Sequence, residues 1–197
     1  MGYSNPYALR IVQGKRFLKV FRWPLETKIY KAISAMPQKT PVRLTVTGHG
    51  VPDGWTVKIT GVKGPSQLND RQVAATVVDA DTLEFNALNA GDMPDYVSGG
   101  FVEFQQPVDL TGYTGRVVLK AAVTDADPVL ELSSANGRLA IDVANSKITF
   151  DVTADDTAAL TALSGTWDWE MTKGGVIVSP LGDIDRPPWK LVRELAT

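Results

Sequence analysis

The chain of 197 residues has no cysteine and a single histidine, His49. The first absence removes disulfides, thiol nucleophiles and thiolate zinc sites. It also leaves the sequence silent on redox compartment. The second removes most histidine-based acid–base chemistry, although glycosidase chemistry can run on two carboxylates alone. The expectation is therefore a protein that is not an enzyme, with no catalytic residues, no metal ligands and no cofactor. No apolar run approaches the roughly 20 residues of a membrane helix, and the stretch "MGYSNPYALRIVQGKRF" has no apolar signal core. A soluble chain made in a cytosol, without membrane insertion, is expected. Excess charge of one sign is lacking too: the net charge is −2, which gives bulk electrostatics no reason to hold nucleic acid. There is no sustained internal repeat and no low-complexity linker.

What charge there is lies unevenly. From Met1 to Arg43 nine basic residues face one acid, Glu26, whereas Asp79 to Glu131 holds ten acids against Arg116 and Lys120. A basic end and an acidic body favour head-to-tail contact between copies, with Lys15, Lys19 and Arg22 as candidate contacts. Two unrelated solvated faces explain the same pattern.

Alternation of apolar and polar residues at period two runs through most of the chain, in "RLTVTG", "WTVKITGV", "GRVVLKAAV", "SKITFDV" and "TWDWEM". Short strands separated by Gly-containing turns at this spacing predict an all-β sandwich. One segment departs from it. In "TADDTAALTAL", Thr153 stands three residues before Asp156, as a helix cap does, and the alanines that follow favour a turn or two of helix.

His49 sits in "TGHGVPDGW" between Gly48 and Gly50. A general base needs a nucleophile and an orienting group in reach, and one histidine with scattered carboxylates has no metal-ligand spacing. His49, Asp53 and Gly54 are read as turn residues, with His49→Ala expected to leave assembly and infectivity nearly intact. "DADTLEF" and "TADDTA" lack the alternate oxygen ligands and distal Glu of a calcium loop. They read as a hairpin turn and as favourable charges in a helix first turn. "GVKG" and "TKGG" fall between strands and lack the phosphate-loop spacing.

"LRIVQGKRFLKVFRW" reads as two strands joined at Gln13-Gly14, and a lone hairpin is marginal in water. Its partners are expected after Gln105, with Val42 to Phe104 an inserted module that can be cut out. Phe17, Phe21 and Trp23 share one strand face and Trp167 and Trp169 another, as core residues. "DRPPWKLVRELAT" looks like an extended tail over residues 187–197. Trp189 in it is either an anchor in a neighbouring subunit or docked on its own domain. Tyr3, Tyr7, Leu191 and Val192 are further candidate subunit contacts.

Two resemblances follow from the motifs. "LRIVQGKRFLKVFRW", "PVDLTGYTGRVVLKAAV", "NGRLAIDVANSKITFDVTADDTAAL" and "WDWEMTKGGVIVSPLGDI" together resemble the immunoglobulin-like N-terminal module of tailed-phage baseplate upper proteins, over Leu9–Trp23 and Pro107–Asp185. "LTVTGHGVPDGWTVKITGVKGPSQLNDRQVAATVVDADTLEF" resembles the first catalytic-cysteine half-domain of ubiquitin-activating enzymes, a small β-barrel, in the form found in phage structural proteins. That half-domain carries no activating chemistry by itself. The fold these imply is a discontinuous immunoglobulin-like β-sandwich (residues 1–40 and 105–186) with one short helix, and an inserted barrel (41–104). The function they imply is a virion structural protein of a tailed phage, an adaptor in tail, collar or baseplate. Such a protein is made in the host cytoplasm and contacts other virion proteins, with copies of itself in a symmetric ring. A capsid decoration or head-fibre protein, and a carbohydrate- or receptor-binding module, are the alternatives.

Overall fold

A computed structural model describes residues 7–182 and 186–193. The fold is all-β, with one short α-helix. Packing divides it into two compact units, one built from residues 1–21, 110–143 and 147–197 and the other from 22–109 with 144–146.

The chain enters the first unit through β1 (Leu9–Val12) and β2 (Phe17–Phe21). These do not form the hairpin that their sequence suggests. β1 pairs in parallel with a strand near the C-terminus and β2 pairs with a strand more than 120 positions away, in a different sheet. Gly14, at φ +75°, turns the chain between them. Period-two patterning says that each stretch has two faces, but backbone hydrogen bonds choose the neighbour.

The second unit begins with β3 (Pro24–Ala32) and β4 (Ala35–Lys39), which sequence reasoning had placed in the sandwich. It continues through β5 (Val42–Thr45), β6 (Thr56–Thr60), β7 (Gln72–Ala74), β8 (Thr76–Asp79), β9 (Thr82–Phe85) and β10 (Phe101–Pro107). They form two four-stranded antiparallel sheets, β3-β10-β6-β7 and β4-β5-β9-β8. The chain passes from one sheet to the other across Ile33 and Ser34. Both inner faces supply one core, in which Leu44, Ile59, Leu83 and Phe85 are fully buried and Trp55, Val102 and Phe104 close the packing. β3 and β10 enter and leave side by side: Pro24 lies opposite Pro107, and the Val108 amide donates to the Trp23 carbonyl at 3.0 Å. The inserted unit therefore starts at residue 22 and ends at 109, instead of spanning 41–104.

The first unit resumes with β11 (Thr114–Lys120), β12 (Leu130–Ser133), β13 (Leu139–Asp142), β14 (Lys147–Val152), the helix α1 (Ala154–Ala158), β15 (Ser164–Lys173), β16 (Val176–Val178) and β17 (Pro188–Val192). One sheet runs β1-β17-β15-β11-β12 with β16 extending β15, and the facing sheet is β13-β14-β2. The core between them holds Phe21, Phe150, Trp167 and Trp169. The Trp169 ring lies 5.2 Å from both phenylalanines, edge-on to Phe150, an arrangement that ring quadrupoles favour. Thr153 caps α1, its hydroxyl accepting from the Asp156 amide at 3.2 Å. Gln13 reaches across to the other end, donating through Nε2 to the carbonyls of Ala158 and Leu160. The Thr157 hydroxyl donates to the Lys15 carbonyl at 2.8 Å. Two stretches 140 positions apart, the Gln13-Gly14 turn and "TADDTAAL", thus satisfy each other's backbone groups.

The extended tail expected over 187–197 is, from Pro188 to Val192, an internal strand of the larger sheet. β17 lies between β1 and β15, with Leu9 opposite Trp189 and Gly165 opposite Trp189 on the other side.

Candidate functional site

His49 is buried at 3% exposure, and both ring nitrogens are engaged. Its Nδ1 accepts from the Val51 amide at 2.9 Å, and its Nε2 lies 2.9 Å from the Asp79 carbonyl oxygen, to which it donates. A single neutral tautomer satisfies both bonds. Asp53 is exposed, and its Oδ1 accepts from the Val77 amide at 3.0 Å, while its carbonyl takes the Arg22 Nη2 at 2.6 Å. Gly54 has φ +72°, and its amide donates to the Ala75 carbonyl. The three residues fasten the turn before β6 to the β8–β9 side of the same unit. Because His49 is a buried strut, His49→Ala is expected to cost folding stability. The variant leaves the Val51 amide without its acceptor, and thermal or urea unfolding should show a loss of about 1–3 kcal/mol. Valine at Gly54 should be worse, since left-handed backbone is costly for a β-branched residue and its Cβ would stand 2.9 Å from Arg22 Nη2.

The candidate subunit contacts are mostly spent inside the chain. Trp189 is 1% exposed and Leu191 is buried, so both are core residues, and Val192 is half-buried opposite Val12. The half-buried Tyr7 offers its carbonyl to Trp167 Nε1 at 2.9 Å. Tyr3 lies outside the described residues. Lys19 sits over the Phe21 ring at 5.8 Å, on the inward side of an edge strand, where a lysine discourages further strand addition. Arg22 also packs over the Trp55 ring at 5.7 Å. Lys15 is exposed in the turn after Gly14.

Part of the charge asymmetry of the sequence is met within the inserted unit. Lys28 meets Glu103 at 2.5 Å, Lys39 meets Asp95 at 2.7 Å and Arg43 meets Glu84 at 2.6 Å. Basic strands from the start of the chain pair with acids from its middle, in the same molecule. In the first unit Arg16 pairs with Asp151 and Arg138 with Asp156, both at 2.5 Å.

Four carboxyls are held below the usual carboxylate range by such partners. The Thr153 hydroxyl and then Arg138 hold Asp156 down, Arg16 acts on Asp151, Lys39 on Asp95, and the Asp81 amide first among several groups on Asp79. A depressed folded value means that stability is fully present above the unfolded value, about 3.9 for Asp, and is lost as pH falls through the lower folded one. The urea midpoint should therefore decline as pH drops below about 4. Asp156→Asn should lower it at neutral pH while flattening that decline. An unchanged acid limb in Asp156→Asn would show that Asp156 carries none of it.

Several depressions mark the described surface, three of them relevant here. One of about 340 Å³ lies on the outer face of β11 and β15 under the 121–129 loop, between Lys120, Asp168, Glu170 and Arg186. A second lies among the Arg16–Asp151 and Arg138–Asp156 pairs. A third, of about 260 Å³, lies on the outer face of β6 and β10. Among the described residues no three His, Asp or Glu side chains gather as a metal group would, and no helix is long and apolar enough to cross a membrane. Beside the third depression stand two exposed rings, Tyr30 at 55% and Phe101 at 47%. Sequence reasoning missed both. Their signal is period-two placement in "KIYKA" and "FVEF", which marks a face without saying whether it is covered. No family model matches this chain, and no curated protein matches it.

Proposed function

We propose that this chain is a structural protein of a tailed-phage particle, an adaptor in the tail, collar or baseplate. On this reading it works through its surfaces and not through a reaction centre. The observation that carries the reading is the hydrogen-bonded neck. A complete β-unit with its own core leaves the sandwich after β2 and returns before β11 through one antiparallel pair, closed at Trp23 and Val108. A second unit added at a pinched loop leaves the host sandwich intact and adds a second contact surface, which is what an adaptor requires. The motif order of the sandwich, resembling the baseplate upper protein module, supports the same reading. So does the direct bonding of the Gln13-Gly14 turn to the short helix, two of the elements on which that resemblance rests.

The test is an image of purified particles labelled with antibody to this chain, together with mass spectrometry of the same particles. Labelling at one fixed structural position, with the chain present in multiple copies per particle, is the expected result. A chain found only in the lysate supernatant, with none in banded particles, overturns the proposal.

A further inference from the structure

We propose that the outer face of the β3-β10-β6-β7 sheet is a binding platform for a neutral oligosaccharide, with Tyr30 and Phe101 stacking against sugar rings. The inference stands apart from the virion assignment and would hold in any setting.

Register builds the platform. Phe101 lies opposite Ala32 and Thr60, Glu103 opposite Tyr30 and Lys58, and Gln105 opposite Lys28. Gln72 lies opposite Lys58. Period two puts these side chains on one face, because the residues between them, Val102 and Phe104, are buried in the core. Tyr30 and Phe101 are therefore diagonal neighbours on adjacent strands, a separation that aromatic side chains can span. Tyr30 and Phe101 are 55% and 47% exposed, so about half of each side chain stands open to a ligand. The depression beside them is lined by Lys28, Thr56, Lys58, Gln72, Glu103 and Gln105. The side-chain amides of Gln72 and Gln105 donate no hydrogen bond within the described chain.

The chemistry of this face selects the ligand. A pyranose has an apolar C–H side that suits an aromatic ring and a rim of hydroxyls that both donate and accept. Side-chain amides, threonine hydroxyls, a carboxylate and an ammonium are each groups that hydrogen-bond such a hydroxyl. Aromatic rings on an open sheet also suit stacked nucleobases, but that mode needs surplus positive charge for the phosphates. Here the two lysines are matched: Lys28 to Glu103 at 2.5 Å and Lys58 to Asp70 at 2.7 Å. Glu103 stands between both lysines, across from Tyr30. Both lysines of the face are paired, which leaves no surplus positive charge for phosphates but polar groups to meet an uncharged glycan.

The experiment titrates the full chain with maltohexaose, cellohexaose and chitohexaose by calorimetry, with poly(U) as a charged comparator. At least one hexaose should bind saturably, with little change between low and high salt. Tyr30→Ala and Phe101→Ala should each weaken it by about tenfold, the size of a lost stacking contact. Both positions are exposed, so melting temperatures should not move. Four results would overturn the proposal. They are no saturable binding of any of the three hexaoses, binding unchanged in the double variant, preferred salt-sensitive binding of poly(U), and sedimentation showing that the two substitutions dissolve a self-association of the chain instead.

Discussion

Trp189→Ala is expected to destabilise the sandwich by about 3–5 kcal/mol, the cost of truncating a fully buried tryptophan. That is a large part of the 5–15 kcal/mol or so that holds a typical domain together. Three contacts fail at once. The ring leaves a cavity beneath the larger sheet, the Lys120 carbonyl loses the Nε1 donor at 3.0 Å, and β17 loosens its hold on β1, which has no other strand partner among the described residues. Gly165→Ala attacks the same place from the neighbouring strand. A Cβ there would stand 1.8 Å from the Lys120 carbonyl oxygen and 2.7 Å from Trp189 Nε1, so the backbone of β15 must move. Hydrogen exchange should show β1 and β17 losing protection together, ahead of the inserted unit. Trp189→Phe, which loses the hydrogen bond but keeps most of the volume, should cost less. If Trp189→Ala instead left unfolding unchanged while preventing assembly, the ring would be an intersubunit anchor after all. The same reasoning limits what a tail deletion can report. Removing residues beyond Pro187 deletes a central strand, so failure of such a variant to enter particles would follow from unfolding.

Where the inserted unit is cut should decide between a folded and an unfolded protein. Replacing Pro24–Pro107 by an Asn-Gly turn should give a soluble sandwich with a single cooperative transition. The residues flanking the cut, Trp23 and Val108, are already hydrogen-bonded at 3.0 Å, so a two-residue turn closes them at little loop entropy. Excising Val42–Phe104, the boundary that sequence suggests, should fail. It strands β3 without β10 and β4 without β5, exposing apolar strand edges that pair with other chains. Circular dichroism and a gel-filtration profile of the two deletions distinguish them. Two soluble, β-rich products would mean that β3 and β4 are dispensable to either unit.

The sequence by itself determined the local chemistry. Period-two alternation predicted strands, Thr153 and Asp156 marked the helix start, and Asp53-Gly54 announced a turn, because each depends on residues a few positions apart. It also placed an extra module in the gap between the first strands and those after Gln105, since a lone pair of strands needs a sheet. Tertiary structure alone decided partnership. A strand's backbone groups are the same whatever its side chains, so nothing local told β1 to pair with β17 in place of β2. Nor did anything local send β3 and β4 into the inserted unit. Trp189 after two prolines looks like an arm, and only the slot between Leu9 and Gly165 makes it core. The basic start and acidic middle of the chain suit a contact between copies or two unrelated solvated faces. Folding sets Lys28, Lys39 and Arg43 against Glu103, Asp95 and Glu84 in one molecule, because charges far apart in sequence meet wherever strand register brings them. The same register leaves Tyr30 and Phe101 together on an open face, although more than 70 positions separate them.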